Sequence, residues 1–267
     1  MEPPIATETP KPNGTLLRRM LEAAVAVVYP QGCLACRAEA TLGHPLCPDC
    51  ATLLRQAAQR QCPKCGATPG PHAAIGKTCP KCHGRKYSFR RAVACGPYDG
   101  PLGAIIRDYK YRHQTHLAET LSDWMIQALK RQDVTADIVV SVPMHPLKVF
   151  QRGFDHAGLL ATKVSRRVGS PRLKRVLRRK TIGPDMVGLG YDARRRVAGQ
   201  AFAVHPDTRL QGRSVLLVDD VLTTGATASE CARLLRVAGA RTVSVVVVAR
   251  QAGSSHLSPA AGGVDFA

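Results

Sequence analysis

The chain reads as an α/β protein, a mostly parallel sheet flanked by helices, preceded by a small cysteine-rich module. Three observations predict this. Beyond about Arg85, buried-type strands alternate with amphipathic helices, the texture of strand–helix–strand units. Before that point lie eight of the ten cysteines, arranged as four CxxC pairs. The 267 residues are 45% hydrophobic, enough for one substantial core plus a smaller module, which excludes a disordered chain or a fibre.

Residues 1–29 read as a tail followed by an amphipathic helix. The stretch from Arg18-Arg19 through Met20 to Tyr29 imitates a signal peptide, but Glu22 interrupts it and it leads straight into cysteines. No run approaches the roughly 20 apolar residues of a membrane-spanning helix. A soluble, cytoplasmic protein with no transmembrane segment is expected.

Residues 30–86 hold the cysteine pairs: Cys33 and Cys36, Cys47 and Cys50, Cys62 and Cys65, Cys79 and Cys82. Ten residues separate the first two pairs and thirteen the last two, the knuckle spacing of tetrahedral zinc sites with four thiolates each. Pro48, Pro63, Gly66 and Pro80 supply tight turns that aim two sulfurs at one ion. A reducing compartment disfavours disulfides. Sequential pairing and cross-braced pairing both satisfy the count, and sequential pairing closes the shorter loops. Two structural Zn²⁺ ions are expected, with no open coordination position for catalysis. Two decoys lie in this module. Cys79 to His83 (CPKCH) matches a haem-attachment motif but leaves three pairs unexplained. Gly70 to Thr78 (GPHAAIGKT) imitates a nucleotide-binding loop, with five residues between the glycines in place of four and no strand before it.

Residues 87–250 form the periodic part. A strand is expected over 89–99, a short helix over 102–109, and a longer one over 117–129 with apolar Leu117, Leu121, Trp124, Met125 and Leu129. Next come a buried strand over 137–142, a proline-containing loop to Gly153, a helix over 156–168 and a very basic stretch. A strand over 214–218, a helix over 225–238 and a strand over 242–248 complete the set. Cys95 and Cys231 fall in a strand and a helix as small core residues, and Trp124 as a core anchor. The Ala-, Gly- and Ser-rich tail over 251–267 is expected to be disordered.

The sharpest signal is Val215 to Thr227, VLLVDDVLTTGAT. A buried strand ends in two carboxylates, and a loop of small residues then opens a helix. Backbone N–H groups at a helix start, with threonine hydroxyls and the helix dipole, cradle a phosphate. Asp219 and Asp220 stand where they accept hydrogen bonds from ribose hydroxyls. The pattern describes a sugar-phosphate site.

This stretch resembles the phosphoribosyl-pyrophosphate (PRPP) signature of type I phosphoribosyltransferases. With the four CxxC pairs, IIRDYKYR at Ile105 to Arg112 and SVPMHPLKVFQRGFDHAGLLA at Ser141 to Ala161, the chain resembles the ComF family over roughly residues 30–250. In that family a double zinc ribbon precedes a phosphoribosyltransferase-like domain, and members are linked to DNA uptake during competence and to DNA repair. The resemblance implies that Thr223, Thr224, Gly225, Ala226 and Thr227 hold the 5′-phosphate and that Asp219 and Asp220 bind the ribose. It places pyrophosphate at Ser141, Val142 and Pro143, puts Lys148 and Arg152 in the flexible loop that closes over it, and matches Lys110 to the lysine of the family's KY motif. Mg²⁺ is expected to arrive with PRPP.

The chain departs from the family where RGFNQ is replaced by Arg152-Gly153-Phe154-Asp155-His156, and where Met186 and Ala198 stand for a Gln and an Asn. These changes bear on the acceptor and on activity itself. His156 reads as a helix-start residue.

A net charge of +19 favours an anionic partner. Between His156 and Pro184 lie nine Lys or Arg and no acid, with Arg194 to Arg196 following, a stripe suited to single-stranded or duplex nucleic acid. No aromatic residue falls within 156–184, so base stacking gains no support there. The resemblance implies a PRPP-binding phosphoribosyltransferase-like protein that transfers phosphoribosyl to an acceptor, linked to DNA uptake or DNA metabolism, with DNA-uptake proteins as partners. The alternative is a catalytically inactive zinc and nucleic-acid-binding protein of the competence machinery.

Overall fold

The computed structural model describes residues 32–40, 43–69, 79–180, 199 and 201–251. In chain order they form helix α1 (Pro48–Gln59), strand β1 (Arg91–Pro97), a tight turn (Tyr98–Leu102) and helices α2 (Gly103–Tyr111) and α3 (Leu117–Arg131). Strand β2 (Ile138–Ser141), helices α4 (Pro146–Arg152) and α5 (His156–Val168), and strands β3 (Leu177–Arg179) and β4 (Phe202–Val204) follow. Strand β5 (Ser214–Leu222), helix α6 (Ala226–Val237) and strand β6 (Thr242–Arg250) close the series.

Four strands make a parallel sheet in the order β1-β6-β5-β2, and β3 pairs with β4 in a small antiparallel ribbon. The central strands are apolar on both faces because both faces are covered. On one, Leu216, Val218, Val246 and Val248 meet Ile105 and Ile106 of α2, Leu121 and Met125 of α3, and Leu160 and Val164 of α5. On the other, Val215, Leu217, Val245 and Val247 meet Ala228, Cys231, Ala232 and Leu235 of α6 and Phe202 of β4. The α6 positions recur at the spacing of one helix face, and burying Leu235 alone contributes about 2 kcal/mol.

The helices have local reasons to start and stop. Asp155 caps α5 by accepting from the Gly158 N–H at 3.0 Å, and Gly169 at φ +69° ends it. Pro146 opens α4 under the cap of His145, and Gly153 at φ +75° closes it. Helix α1 begins inside the second cysteine pair, with Cys47 as its cap and Pro48 in its first turn. Its Leu54 packs against Gly96 of β1, where a Cβ would lie 2.7 Å from Leu54 Cδ1.

Several expectations need correction. Pro48 starts a helix where a turn was expected. The segment from Val142 to Gly153 contains α4, so Lys148 and Arg152 stand on a helix and not in an irregular loop. The basic stretch contains β3 and β4. Strand β5 continues to Leu222, because β6 runs alongside it to Arg250, so both aspartates lie within the strand. Cys95 and Cys231 are buried and Trp124 packs on the core, as expected. The N-terminal helix, Gly70 to Thr78, residues 181–184 of the basic stripe, Met186, Arg194 to Arg196, Ala198 and the tail beyond Gln251 lie outside the described residues.

Candidate functional site

The cysteines form two groups, Cys33, Cys36, Cys47 and Cys50, and Cys62, Cys65, Cys79 and Cys82, the sulfurs of each lying within 4.8 Å of one another. Pairing is therefore sequential. A tetrahedral zinc with Zn–S bonds of about 2.3 Å sets its sulfurs about 3.8 Å apart. Three sulfur pairs stand at 3.7 Å (Cys36 and Cys47), 3.8 Å (Cys65 and Cys79) and 3.9 Å (Cys62 and Cys82). Burial and the neighbouring sulfurs push the Cys50 and Cys65 thiols up, a repulsion that a divalent cation removes. The residues fit structural Zn²⁺ in each group.

The second feature is a crevice set by topology. Adjacent parallel strands β2 and β5 are followed by helices on opposite faces of the sheet, α5 on one and α6 on the other. A cleft opens outside the carboxyl ends of such a strand pair. Strand β2 stops at Ser141, opposite Val218, while β5 runs four residues further. Ser141, Val142 and Pro143 flank the cleft on one side and the 219–227 segment on the other.

Within that segment, Gly225 adopts φ +85° as the cap of α6. A left-handed conformation suits glycine, and a Cβ there would lie 2.8 Å from the Tyr87 ring. Thr223 and Thr224 precede it, Ala226 and Thr227 form the first turn of α6, and the Ala226 N–H donates to Thr224 Oγ1 at 3.4 Å. Strand alternation sends Asp219 and Asp220 to opposite faces. Asp220, 8% exposed, meets Lys110 of α2, with Nζ to Oδ2 at 2.9 Å. Burial alone would lower the Lys110 ammonium; the Asp220 carboxylate reverses this and holds it above the ordinary lysine range. Asp219 Oδ1 accepts from the Asp220 N–H at 2.9 Å. Burial, and then the adjacent Asp220, push the Asp219 carboxyl up to about 8.

Opposite this pair, α2 and the 152–156 segment pack together. The Tyr109 hydroxyl donates to the His156 carbonyl at 2.8 Å, and His156 Nε2 lies 3.2 Å from the Lys110 carbonyl oxygen. Phe154 meets the Tyr109 ring edge-on at 5.4 Å. The Arg152 guanidinium lies 5.4 Å above the Tyr111 ring. His156 is fully buried, its Nδ1 has no hydrogen-bond partner, and burial lowers its affinity for a proton. The Asp155 replacement preserves the cap that an asparagine would provide.

The structure thus brings Lys110, Asp219, Asp220 and the 223–227 loop together, with Ser141 to Pro143 across the crevice. Lys148 stands on α4 beside exposed Leu147 and Phe150. Sequence reasoning missed three residues. Arg172 reaches back to the Thr162 hydroxyl and, at 3.4 Å, to Ser141 Oγ. Tyr87 donates to the Thr224 carbonyl and Arg250 to the Leu222 carbonyl, so both hold the 223–227 loop. No local motif marks them, since their partners are distant in sequence. The basic stripe is also less continuous than its composition suggests: Lys163 and Arg167 pair with Glu119, and Arg167 with Asp123 at 2.6 Å.

Crevice and cysteine clusters together define a phosphoribosyltransferase-type α/β protein carrying a double zinc ribbon. The family model described as a double zinc ribbon domain matches residues 24–95, and that of a phosphoribosyl transferase domain matches residues 155–260. The chain is 30% identical over 230 residues to the DNA utilization protein YhgH of Escherichia coli O157:H7, covering 84% of this chain and 99% of that one. It is 28% identical over 225 residues to Competence protein F of Haemophilus influenzae, covering 82% and 96%. A 39-residue stretch, 15% of this chain and 22% of the other, is 62% identical to the adenine phosphoribosyltransferase of Rhodococcus jostii. The chain belongs to the ComF family.

Proposed function

We propose that the crevice binds PRPP with Mg²⁺ and that the protein transfers the phosphoribosyl group to an acceptor, in the service of DNA utilization or uptake. The observation that carries this reading is the juxtaposition of Asp219, Asp220 and Lys110 with the glycine-capped loop that opens α6. First-turn N–H groups and the hydroxyls of Thr223, Thr224 and Thr227 take the 5′-phosphate. Asp219 and Asp220 accept from the ribose hydroxyls, and Lys110 holds Asp220 in place. Pyrophosphate sits at Ser141 to Pro143, with Arg152 and Lys148 supplying positive charge from α4. Mg²⁺, when bound with PRPP, neutralises charge on that leaving group. In the reaction the C1–oxygen bond to pyrophosphate breaks as the acceptor bonds to C1, whose cationic character the surrounding oxygens stabilise. The names of the relatives support the DNA link.

We assign residues 30–86 to the zinc module and 87–250 to the transferase-like domain, and place the protein in the cytoplasm. No helix among the described residues is long and apolar enough to cross a membrane.

Thermal unfolding of zinc-loaded protein with and without Mg²⁺-PRPP tests the proposal. At 100 times the dissociation constant, ligand stabilises by about 2.7 kcal/mol. Ribose 5-phosphate should stabilise less, and an unchanged midpoint with PRPP would defeat the reading.

One observation favours a nucleic-acid role beside it. Phe150 is 86% exposed on the helix that bears Lys148 and Arg152, and Tyr111, under Arg152, is 63% exposed. These supply the aromatic faces that the basic stripe lacks. Titrating single-stranded DNA at several salt concentrations should give a salt-dependent affinity that Phe150→Ala weakens; equal binding by the variant would remove the support.

A further inference from the structure

We infer that Tyr87 and Arg250 are positioning residues of the phosphate-side loop, and that through them the loop's geometry depends on the second cysteine cluster. The inference rests on the sugar-phosphate reading of that loop.

Two routes connect cluster and loop. Arg250 closes β6 and is 3% exposed, its guanidinium held by carbonyl oxygens. Its Nε donates to the Cys65 carbonyl at 3.2 Å, and its Nη1 donates to Leu222 at 2.8 Å and Gln251 at 3.2 Å. Cys65 is a fully buried member of the cluster, and Leu222 is the last strand residue before Thr223. One planar fork thus spans a cluster residue and the root of the loop. Were Cys65 to move, a buried charged group would lose an acceptor, which is costly in a low-dielectric interior.

Tyr87 supplies the second route, five residues after Cys82. Its hydroxyl donates to the Thr224 carbonyl at 3.2 Å, and its ring fills the space beside Gly225 that a Cβ would need. The next residue continues the strap, the Ser88 N–H donating to Ser229 Oγ in the first turn of α6 at 2.9 Å. Tyr87 also packs on the cluster itself and stacks on Phe89 with ring centroids 4.6 Å apart. On the far side the cluster is tied to the sheet, since the Ala92 N–H donates to the Lys64 carbonyl at 3.0 Å. Four thiolates around one Zn²⁺ keep this knuckle in shape, and metal loss frees it. The second zinc ribbon therefore braces the cradle, and sugar-phosphate binding is conditional on its metal.

Hydrogen exchange of the amides over 223–229, together with calorimetric titration of Mg²⁺-PRPP, tests this on full-length protein carrying two zinc ions per chain. Tyr87→Ala should exchange those amides at least about tenfold faster and bind PRPP at least about tenfold more weakly. Tyr87→Phe, which keeps the ring, should stay within about threefold in both. Zinc chelation from the wild type should speed the same amides while 215–218 stay protected. Arg250→Lys, keeping the charge and losing the fork, is the second variant should Tyr87→Ala not fold, and should also speed exchange. Wild-type exchange over 223–229 in folded Tyr87→Ala or folded Arg250→Lys, or after chelation, overturns the inference. Faster exchange in a protein whose wild type binds no PRPP upholds the brace and defeats the sugar-phosphate reading instead.

Discussion

Replacing Lys110 by Met probes the most consequential ion pair in the crevice. Its Nζ lies 2.9 Å from Asp220 Oδ2, and the two side chains are 17% and 12% exposed. The substitution keeps the stem and leaves Asp220 beside Asp219 with no cation between α2 and β5. Removing one partner of a buried pair costs about 3–5 kcal/mol, and the residual exposure puts this case near the lower end, about 3 kcal/mol. A domain of this size shifts by about 2–4 °C per kcal/mol, so the midpoint should fall by roughly 6–12 °C. Asp220→Asn alone should destabilise too. Lys110→Met/Asp220→Asn removes both charges and should cost less than the sum, with a coupling of about 2 kcal/mol. Urea unfolding of the four zinc-loaded proteins measures this cycle. Additive effects of the two substitutions would show that the pair contributes nothing, and would refute the view that Lys110 holds Asp220 in place.

Three further outcomes follow from the same geometry. Gly225→Ala puts a Cβ at φ +85° and 2.8 Å from the Tyr87 ring, so it should lose about 1–3 kcal/mol of stability and weaken PRPP binding, read by urea unfolding and calorimetry. Asp219 holds its proton more tightly folded than unfolded, so its contribution to stability is full below about pH 4 and is lost as pH rises towards about 8. Binding that needs the carboxylate should tighten over the same range, and Asp219→Asn should flatten the stability profile. Thiolates must be deprotonated to hold zinc, so acidification should release metal, and Cys65→Ser should reduce the zinc content from two ions to one, measured by atomic absorption.

Much of this arrangement was legible in the residues themselves. The four CxxC pairs announce their clusters because metal ligation demands short, fixed spacings. The strand, paired aspartates and glycine-capped loop are contiguous, so Val215 to Thr227 states its own chemistry. Helix α4 is not legible in the sequence, because seven residues beginning at a proline are too few to show a helical period. β3 and β4 have three residues each, and their pairing crosses a long interval. α1 was masked by its own start, since Cys47 and Pro48 read as a knuckle turn and Leu53 points to solvent. Tyr87 meets Thr224 across 137 residues, a contact that only the folded chain creates. The same holds for Lys110 and Asp220: each lies in a legible motif, but their ion pair belongs to the packing of α2 against the end of β5.

The most direct test of the account is calorimetric titration of Mg²⁺-PRPP into zinc-loaded protein, with Asp219→Asn/Asp220→Asn as the control. Saturable binding by the wild type, lost in a folded double variant, is the predicted result. A folded, zinc-replete wild type that takes up no PRPP would contradict it and leave the crevice as scaffold.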